Sequence, residues 1–206
     1  MDTITTAMMS GSLVRSFPSE ALPASTAVDA LHFSANLKAA FRCRLRAPNL
    51  LPLVMPWCEL HGLAVRVDQD GFICVAKSVE LATRVLEVDR SPEPHERTLG
   101  SLFGYPPCCC RFVERIGESN IDHLAEQIRQ WKFDGEYRLI DPTDYLAGTS
   151  LICHLPCSPM CSASLEIARL ALRFVDQHRL ESGFERWSNW LRFHHANPSG
   201  AFSSEG

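Results

Sequence analysis

Alternating hydrophobic and polar residues predict a β-hairpin in the first half of the chain. Leu63, Val65 and Val67 are separated by single small, charged or polar residues, which is the two-residue period of a strand. The sequence DQDG at 68–71 is typical of a tight turn, and FICVA at 72–76 is a second apolar segment of strand length. The pattern therefore predicts two antiparallel strands joined by a short turn.

Most other hydrophobic residues repeat at the spacing of an α-helix. Val79, Ala82 and Val85 would share one face of such a helix, and Ser78 immediately before them is a favourable N-cap. The segment at 161–180 is apolar on more than one face, so we expect it near the centre of the fold. The predicted helices cover residues 26–45, 79–88, 95–103, 111–118, 121–133, 161–180 and 184–193.

These elements predict an α+β fold, a helix-rich single domain with a small β-hairpin or sheet in its N-terminal half. Prolines between residues 48 and 56 predict an irregular connection from the first helix to the hairpin. Residues 1–25 are rich in Ser, Thr, Ala and Pro without periodicity, and residues 197–206 are similar, so we expect disordered tails there. The globular domain would then span residues 26–196.

Composition and charge exclude several classes of partner. The 206 residues carry a formal net charge of −4 and are 46% hydrophobic, which gives no electrostatic reason to expect binding to nucleic acid or to an anionic membrane. Lys38, Arg42, Arg44 and Arg46 are close together, and we interpret them as cations in the last turn of the helix at 26–45. No signal peptide or membrane span is recognised, so we expect a cytoplasmic protein. Its partners would be a small-molecule substrate or a redox protein.

The nine cysteines are unevenly distributed along the chain. Cys43, Cys58 and Cys74 are isolated among apolar residues, where cysteine is usually a small core residue. The other six fall in two short windows, GYPPCCC at 104–110 and CHLPCSPMC at 153–161. In a reducing compartment, clustered thiols indicate metal binding or redox chemistry rather than disulfides.

Prolines place both cysteine clusters at predicted helix N-termini. Pro107 is suited to the first position of a helix, and Ser158 with Pro159 forms a similar cap and first position. A helix N-terminus lowers the pKa of nearby thiols and favours the thiolate, which is the form that binds metals. Two such termini that converge would gather several thiolates at one point, and we predict that they form one site.

The candidate ligands are Cys108, Cys109, His154, Cys157 and Cys161. The adjacent and C-x₃-C spacings depart from the paired C-x₂-C pattern of structural zinc, so we rank an iron–sulfur cluster first and zinc second. His154 would be a ligand or a proton donor.

The function would be redox or sulfur-related chemistry on a small molecule. One alternative is a zinc-stabilised binding module, and the other is a metal-free enzyme with a cysteine nucleophile and His154 as base.

Both windows resemble one family, the domain of unknown function numbered 483, over about residues 60–175. That family has a Gly-Tyr-Pro-x-Cys-Cys element and a later His-x-Pro-Cys-Ser-x-x-Cys-x-x-Ser element. The resemblance supplies no activity, but it implies that the matching residues belong to one site, and it leaves out Cys110. The matching residues are Gly104, Tyr105, Pro106, Cys108, Cys109, His154, Pro156, Cys157, Ser158, Cys161 and Ser164.

Overall fold

The computed structural model describes residues 11–68, 70–117, 120, 124, 127–128, 130–178, 187 and 189–192. Residues 1–10 and 197–206 of the predicted tails lie outside these residues, as does much of the helix predicted at 121–133. The α-helices with defined bounds are α1 (Ser12–Arg15), α2 (Thr26–Ser34), α3 (Leu51–Leu60), α4 (Val79–Asp89), α5 (Glu96–Phe103), α6 (Pro107–Ile116) and α7 (Ser162–Gln177). The strands are β1 (Ala40–Arg44), β2 (Ala64–Val67) and β3 (Phe72–Ala76), and short 3₁₀ helices cover Pro48–Leu50 and Gly135–Ile140.

The strands form one antiparallel sheet in the order β1-β3-β2. The predicted hairpin is confirmed, since Val65 of β2 pairs with Val75 of β3. Phe41 of β1 pairs with Val75 on the other side. Side chains of β3 alternate between two hydrophobic clusters, one against α1, α2 and α3 and the other against α4. The α+β class predicted from the sequence is confirmed.

The helix predicted at 26–45 is wrong in its second half, because α2 ends at Ser34 and β1 follows. Phe41 is fully buried, whereas the Arg42 guanidinium stacks on the ring of Phe72 at 3.8 Å. The burial along β1 does not alternate cleanly, since Ala40 and Phe41 are both buried, and the basic residues of this segment predict a helix end instead. Arg42 instead pairs with Asp89 of α4 at 2.8 Å, so the cation fastens the sheet to a helix.

The predicted disordered tail does not extend over residues 11–25, which pack into the core. Leu13 and Val14 of α1 are fully buried. The Trp57 indole N–H donates to the carbonyl oxygen of Leu13 at 3.2 Å, and the Phe17 ring packs edge-on against Trp57. A few apolar residues among serines and prolines are enough here, because α3 offers them a large aromatic partner.

The proline-rich connection predicted before residue 56 is also wrong, because α3 runs from Leu51 to Leu60 through Pro56. Pro52 occupies the first turn, where a missing N–H has no cost. Val54, Trp57 and Cys58 are buried at helical spacing. Their burial stabilises a helix that proline would otherwise interrupt.

The second half of the fold is organised around α7, the long helix predicted from the sequence. Its buried residues share one cluster with Ile140, Leu151 and Ile152 of the preceding segment. Trp187 is fully buried in the same cluster and donates its indole N–H to the Ser150 carbonyl at 3.2 Å. Leu191 belongs to this cluster as well.

Two glycines set the approach of α5 to α6. Gly104 ends α5 with φ 84°, a left-handed conformation that favours glycine, and the chain then turns into Pro106 and Pro107. Gly100 lies against α6 so closely that an added Cβ would be 2.8 Å from the Cys110 sulfur.

Over the part of the chain described, no helix is both long and apolar enough to cross a membrane.

Candidate metal centre

Four cysteine sulfurs from the two clusters meet at one point. The Sγ atoms of Cys108, Cys109, Cys157 and Cys161 all lie within 4.8 Å of one another. Cys161 is central, with sulfur–sulfur distances of 3.8 Å to Cys108, 3.7 Å to Cys109 and 3.6 Å to Cys157. The structure brings the two cysteine clusters together as predicted, and the four thiols fit a metal site.

Each cluster is held by the start of a helix. Pro107 is the first residue of α6, as predicted, so Cys108 and Cys109 lie in the first turn. The second helix begins later than predicted, at Ser162, with Cys161 as the N-cap residue. A turn precedes it in which the Cys161 N–H donates to the Ser158 carbonyl oxygen at 3.3 Å. That turn brings Cys157 back towards Cys161 and completes the set.

The spacing of the sulfurs matches coordination of one tetrahedral ion. Thiolates bound at about 2.3 Å around a tetrahedral ion have sulfur–sulfur distances of about 3.8 Å. The distance between Cys108 and Cys109 is 3.9 Å, and the three distances from Cys161 are 3.6 to 3.8 Å. The side chains therefore need little movement to close around an ion.

The electrostatics of the four thiols favour a bound cation. Burial raises the pKa of the Cys109 and Cys157 thiols. Burial also opposes ionisation of Cys161, but hydrogen bonds from the Ser164 hydroxyl and backbone N–H outweigh it and lower the pKa of Cys161 to about 7. One thiolate is thus stabilised near neutral pH at the N-terminus of α7. Thiolates so close together repel one another, and a cation between them would offset that repulsion.

His154 lies outside the group of four sulfurs and touches it through Ser164. The Ser164 hydroxyl oxygen is 3.4 Å from the Cys109 sulfur and 2.8 Å from His154 Nε2. Burial lowers the pKa of His154 to about 3, so its imidazole is neutral. Because the one Ser164 O–H hydrogen is used towards a thiolate of the centre, only the Ser164 oxygen is left for His154, and His154 Nε2–H donates to it. This places His154 where it can orient a metal ligand rather than bind the metal.

The remaining cysteines are placed apart from the four. Cys58 and Cys74 are buried and Cys43 is half-buried, and burial raises the pKa of each thiol to about 12, as expected for core residues. Cys110 points to the other side of α6 and donates its S–H to the Tyr105 carbonyl oxygen at 3.6 Å. Cys153 is buried too, but its neighbours are polar.

A buried polar network next to the metal centre was missed in the sequence. The Lys38 ammonium donates to Asp29 at 2.5 Å and to the Tyr105 hydroxyl at 2.9 Å, and both charged side chains are almost fully buried. Burial opposes the charge of Lys38, but the Asp29 carboxylate outweighs it and raises the pKa of Lys38. The residues of this Lys38 network are Asp29, His32, Lys38, Tyr105, Tyr145 and Cys153.

One sequence signal could have indicated the Lys38 network. Asp29 and His32 are three residues apart in an otherwise apolar helix, so both face the same interior side of α2. A charged residue is rarely buried without a partner, and Asp29 on an apolar face therefore required a cation. Its partner Lys38 lies nine residues away, in the segment whose basic residues predict the last turn of a helix.

Comparison with known proteins adds no relative, since no family model, curated protein or solved structure matches this chain. The resemblance of its two cysteine windows to the domain of unknown function 483 stays a prediction. What can be stated of the site therefore comes from its own geometry. The chain carries a candidate four-cysteine metal centre between the N-termini of α6 and α7.

Proposed function

We propose that Cys108, Cys109, Cys157 and Cys161 bind one metal ion, with Zn²⁺ favoured, and that the ion fastens α6 to α7. The observation that carries this proposal is the sulfur spacing, which is 3.6 to 3.9 Å for four of the six separations and within 4.8 Å for all of them. These values agree with the distance of about 3.8 Å that a tetrahedral tetrathiolate zinc site requires.

The same spacing supports a single ion better than the iron–sulfur cluster that the sequence ranked first. In a four-iron cluster each thiolate binds a different iron, and the four bonds point away from the cluster centre. The sulfurs of such a set lie farther apart than thiolates on one ion. Here all four sulfurs lie within 4.8 Å of one another, which supports the proposal of one ion.

A complete set of four protein ligands favours a structural role over a catalytic one. Catalytic zinc sites keep one coordination position open for water or substrate, whereas structural sites are closed by four side chains. The ligands come in pairs from segments far apart in sequence, so the ion would replace a covalent cross-link between them. Only free thiols can bind the ion, which is consistent with the cytoplasmic location expected from the sequence.

The direct test is metal analysis of the full chain purified without oxygen. We expect one zinc per chain, no acid-labile sulfide and no visible absorption. Replacing zinc with Co²⁺ should give the intense absorption of tetrahedral cobalt thiolates. Brown protein with several irons and matching sulfide would contradict the single ion and restore the cluster. One iron without sulfide would keep the single-ion site and give it a redox role.

A further inference from the structure

A cavity of about 440 Å³ lies beside the candidate metal centre. Its walls are mostly apolar side chains of α5 and α6, including Leu99, Phe103 and Val113. The segment 142–155 closes the other side. Such a volume is in the range of small-molecule binding sites, and an apolar wall with a few convergent polar groups is their usual character.

The Lys38 network supplies part of the polar lining of the cavity, and the other polar or thiol side chains there are His95, Glu96, Cys109, Cys110, Thr143 and His154. Tyr105, Tyr145 and Cys153 belong to both the network and the cavity lining. His154 also lines the cavity, and its ring packs against Tyr105 with a centroid distance of 5.3 Å. The cavity therefore combines mostly apolar walls with polar side chains and the Cys153 thiol.

The Cys153 thiol faces a histidine whose tautomer is fixed by the structure. His32 Nε2 lies 2.8 Å from the Leu151 carbonyl oxygen, which can only accept, so Nε2 carries the hydrogen. His32 Nδ1 therefore presents a lone pair, and it lies 3.5 Å from the Cys153 sulfur. A thiol beside an imidazole lone pair is the arrangement that activates cysteine nucleophiles. Burial lowers the pKa of His32 to about 4 and raises the pKa of the Cys153 thiol to about 12, so the pair rests as thiol and neutral imidazole.

Positive charge and a hydroxyl donor lie beside the same thiol. The Lys38 ammonium is 3.7 Å from the Cys153 sulfur and 2.9 Å from the Tyr105 hydroxyl oxygen. Because Tyr105 accepts from Lys38, its own O–H can still donate to a ligand in the cavity. The Asp29 carboxylate neutralises Lys38 over the network as a whole, so the site favours a neutral ligand over an anion.

We propose that this cavity binds a small, neutral acyl compound, an ester or thioester with apolar groups, and that Cys153 is the nucleophile that attacks its carbonyl carbon. This activity goes beyond the metal site and does not need the ion to react. Apolar groups of the substrate would pack on Leu99, Phe103 and Val113. The carbonyl oxygen would accept from the Tyr105 O–H, which Lys38 polarises.

The proposed acyl transfer needs no reagent other than the acyl compound and water. A bond forms between the Cys153 sulfur and the carbonyl carbon, and the thiol proton passes to His32 Nδ1. The electron pair of the C=O bond moves to oxygen, where Tyr105 and Lys38 stabilise the negative charge. When that pair returns, the bond to the alcohol or thiol breaks, and the leaving group takes the proton from His32. Water then releases the acid and regenerates the thiol.

The test uses the full-length protein with its metal content measured, and 4-nitrophenyl acetate as the probe. We expect a burst of one 4-nitrophenolate per chain, and one acetyl group on the peptide that contains Cys153. The Cys153→Ala variant should lose the burst. His32→Gln retains a donor for the Leu151 carbonyl but has no base, so its burst should be about a hundredfold slower.

Cys58→Ala is the matched control, since Cys58 is as buried as Cys153 but lies in the α3 cluster away from the cavity. Its burst should equal that of the wild type. Acetyl groups found only on other residues of the wild-type chain would overturn the proposal, whatever the variants do. An unchanged burst in His32→Gln, with the fold verified by circular dichroism, would overturn it as well. Neither result depends on which metal is bound.

Discussion

The sulfur atoms of Cys109 and Cys161 lie 3.7 Å apart although 52 residues separate them in the sequence. One belongs to the first turn of α6 and the other is the N-cap residue of α7. An ion bound between them would close a long loop of chain and lower the entropy of the unfolded state, as a disulfide does. Stability and metal content should therefore be linked.

The first prediction concerns the ligands themselves. Cys161→Ser should reduce zinc from one ion per chain to less than about one tenth, because Cys161 contacts all three other sulfurs. Cys110→Ser is the control, since Cys110 directly follows the candidate ligand Cys109 but donates its S–H to the Tyr105 carbonyl oxygen instead. Metal analysis by mass spectrometry distinguishes them. Equal zinc in the two variants would remove Cys161 from the ligand set.

The second prediction concerns metal removal. Chelation should lower Tm by about 10 °C or more, because a few kcal/mol of binding free energy stabilises only the folded state. For a chain of this size, each kcal/mol corresponds to about 2–4 °C. Differential scanning fluorimetry with and without a chelator measures the change, and re-addition of Zn²⁺ should reverse it. A metal-free protein with unchanged Tm would show that the ion does not hold the fold.

Sequence patterns predicted the elements whose residues repeat over several turns or strand positions. The hairpin, α4 with its Ser78 cap and the long α7 followed from period and capping alone. The convergence of the two cysteine clusters was predictable from the sequence. Prolines indicate that both clusters lie at helix N-termini, and clustered thiols indicate a shared metal site. The local chemistry of each segment was sufficient in these cases.

Elements that depend on a distant partner were not predictable in this way. Strand β1 is set by pairing with β3, and α3 tolerates Pro56 because Trp57 packs against α1. The Lys38 network joins α2, the segment after it and the loop near residue 145, so no single window displays it. The position of His154 beside Ser164, outside the group of four sulfurs, also required the fold.

The third prediction tests the Ser164 hydroxyl, which contacts both the candidate ligand Cys109 and His154. Ser164→Ala should weaken zinc affinity about 10- to 100-fold, because the Ser164 hydroxyl links Cys109 to His154. Ser162→Ala is the matched control, as Ser162 lies in the same first turn of α7 but is exposed. Competition with a chromophoric chelator gives both affinities. Equal zinc affinities in the Ser164→Ala and Ser162→Ala variants would mean that the contact of Ser164 with Cys109 does not contribute to zinc binding.

The fourth prediction concerns the buried ion pair of Asp29 and Lys38. Asp29→Asn should lower the free energy of unfolding by about 3–5 kcal/mol, because it leaves a buried ammonium without its counter-charge. Replacing Lys38 with Met in the same chain should recover part of the loss. Glu87→Gln breaks the exposed pair with Arg84 and should cost less than about 1 kcal/mol. Urea denaturation measures all three, and equal losses for Asp29→Asn and Glu87→Gln would contradict the prediction.

The fifth prediction follows from the neutral state of His32. Burial lowers the pKa of His32 from 6.5 to about 4, so below pH 6.5 the unfolded chain binds a proton that the folded chain does not. Stability from this group is complete above pH 6.5 and is lost as the pH falls towards 4, by about 3 kcal/mol in total. Urea denaturation at several pH values should show this extra loss in the wild type and not in His32→Gln. Parallel pH profiles would contradict the prediction.

The close contact at Gly100 has a consequence for how this protein can vary in evolution. A methyl group there would meet the Cys110 sulfur at 2.8 Å and push on the turn of α6 that carries Cys108 and Cys109. Homologues that keep the four cysteines should therefore keep glycine at this position, although it touches none of them. Lineages that lose the cysteines would be released from that constraint, and larger residues should accumulate there.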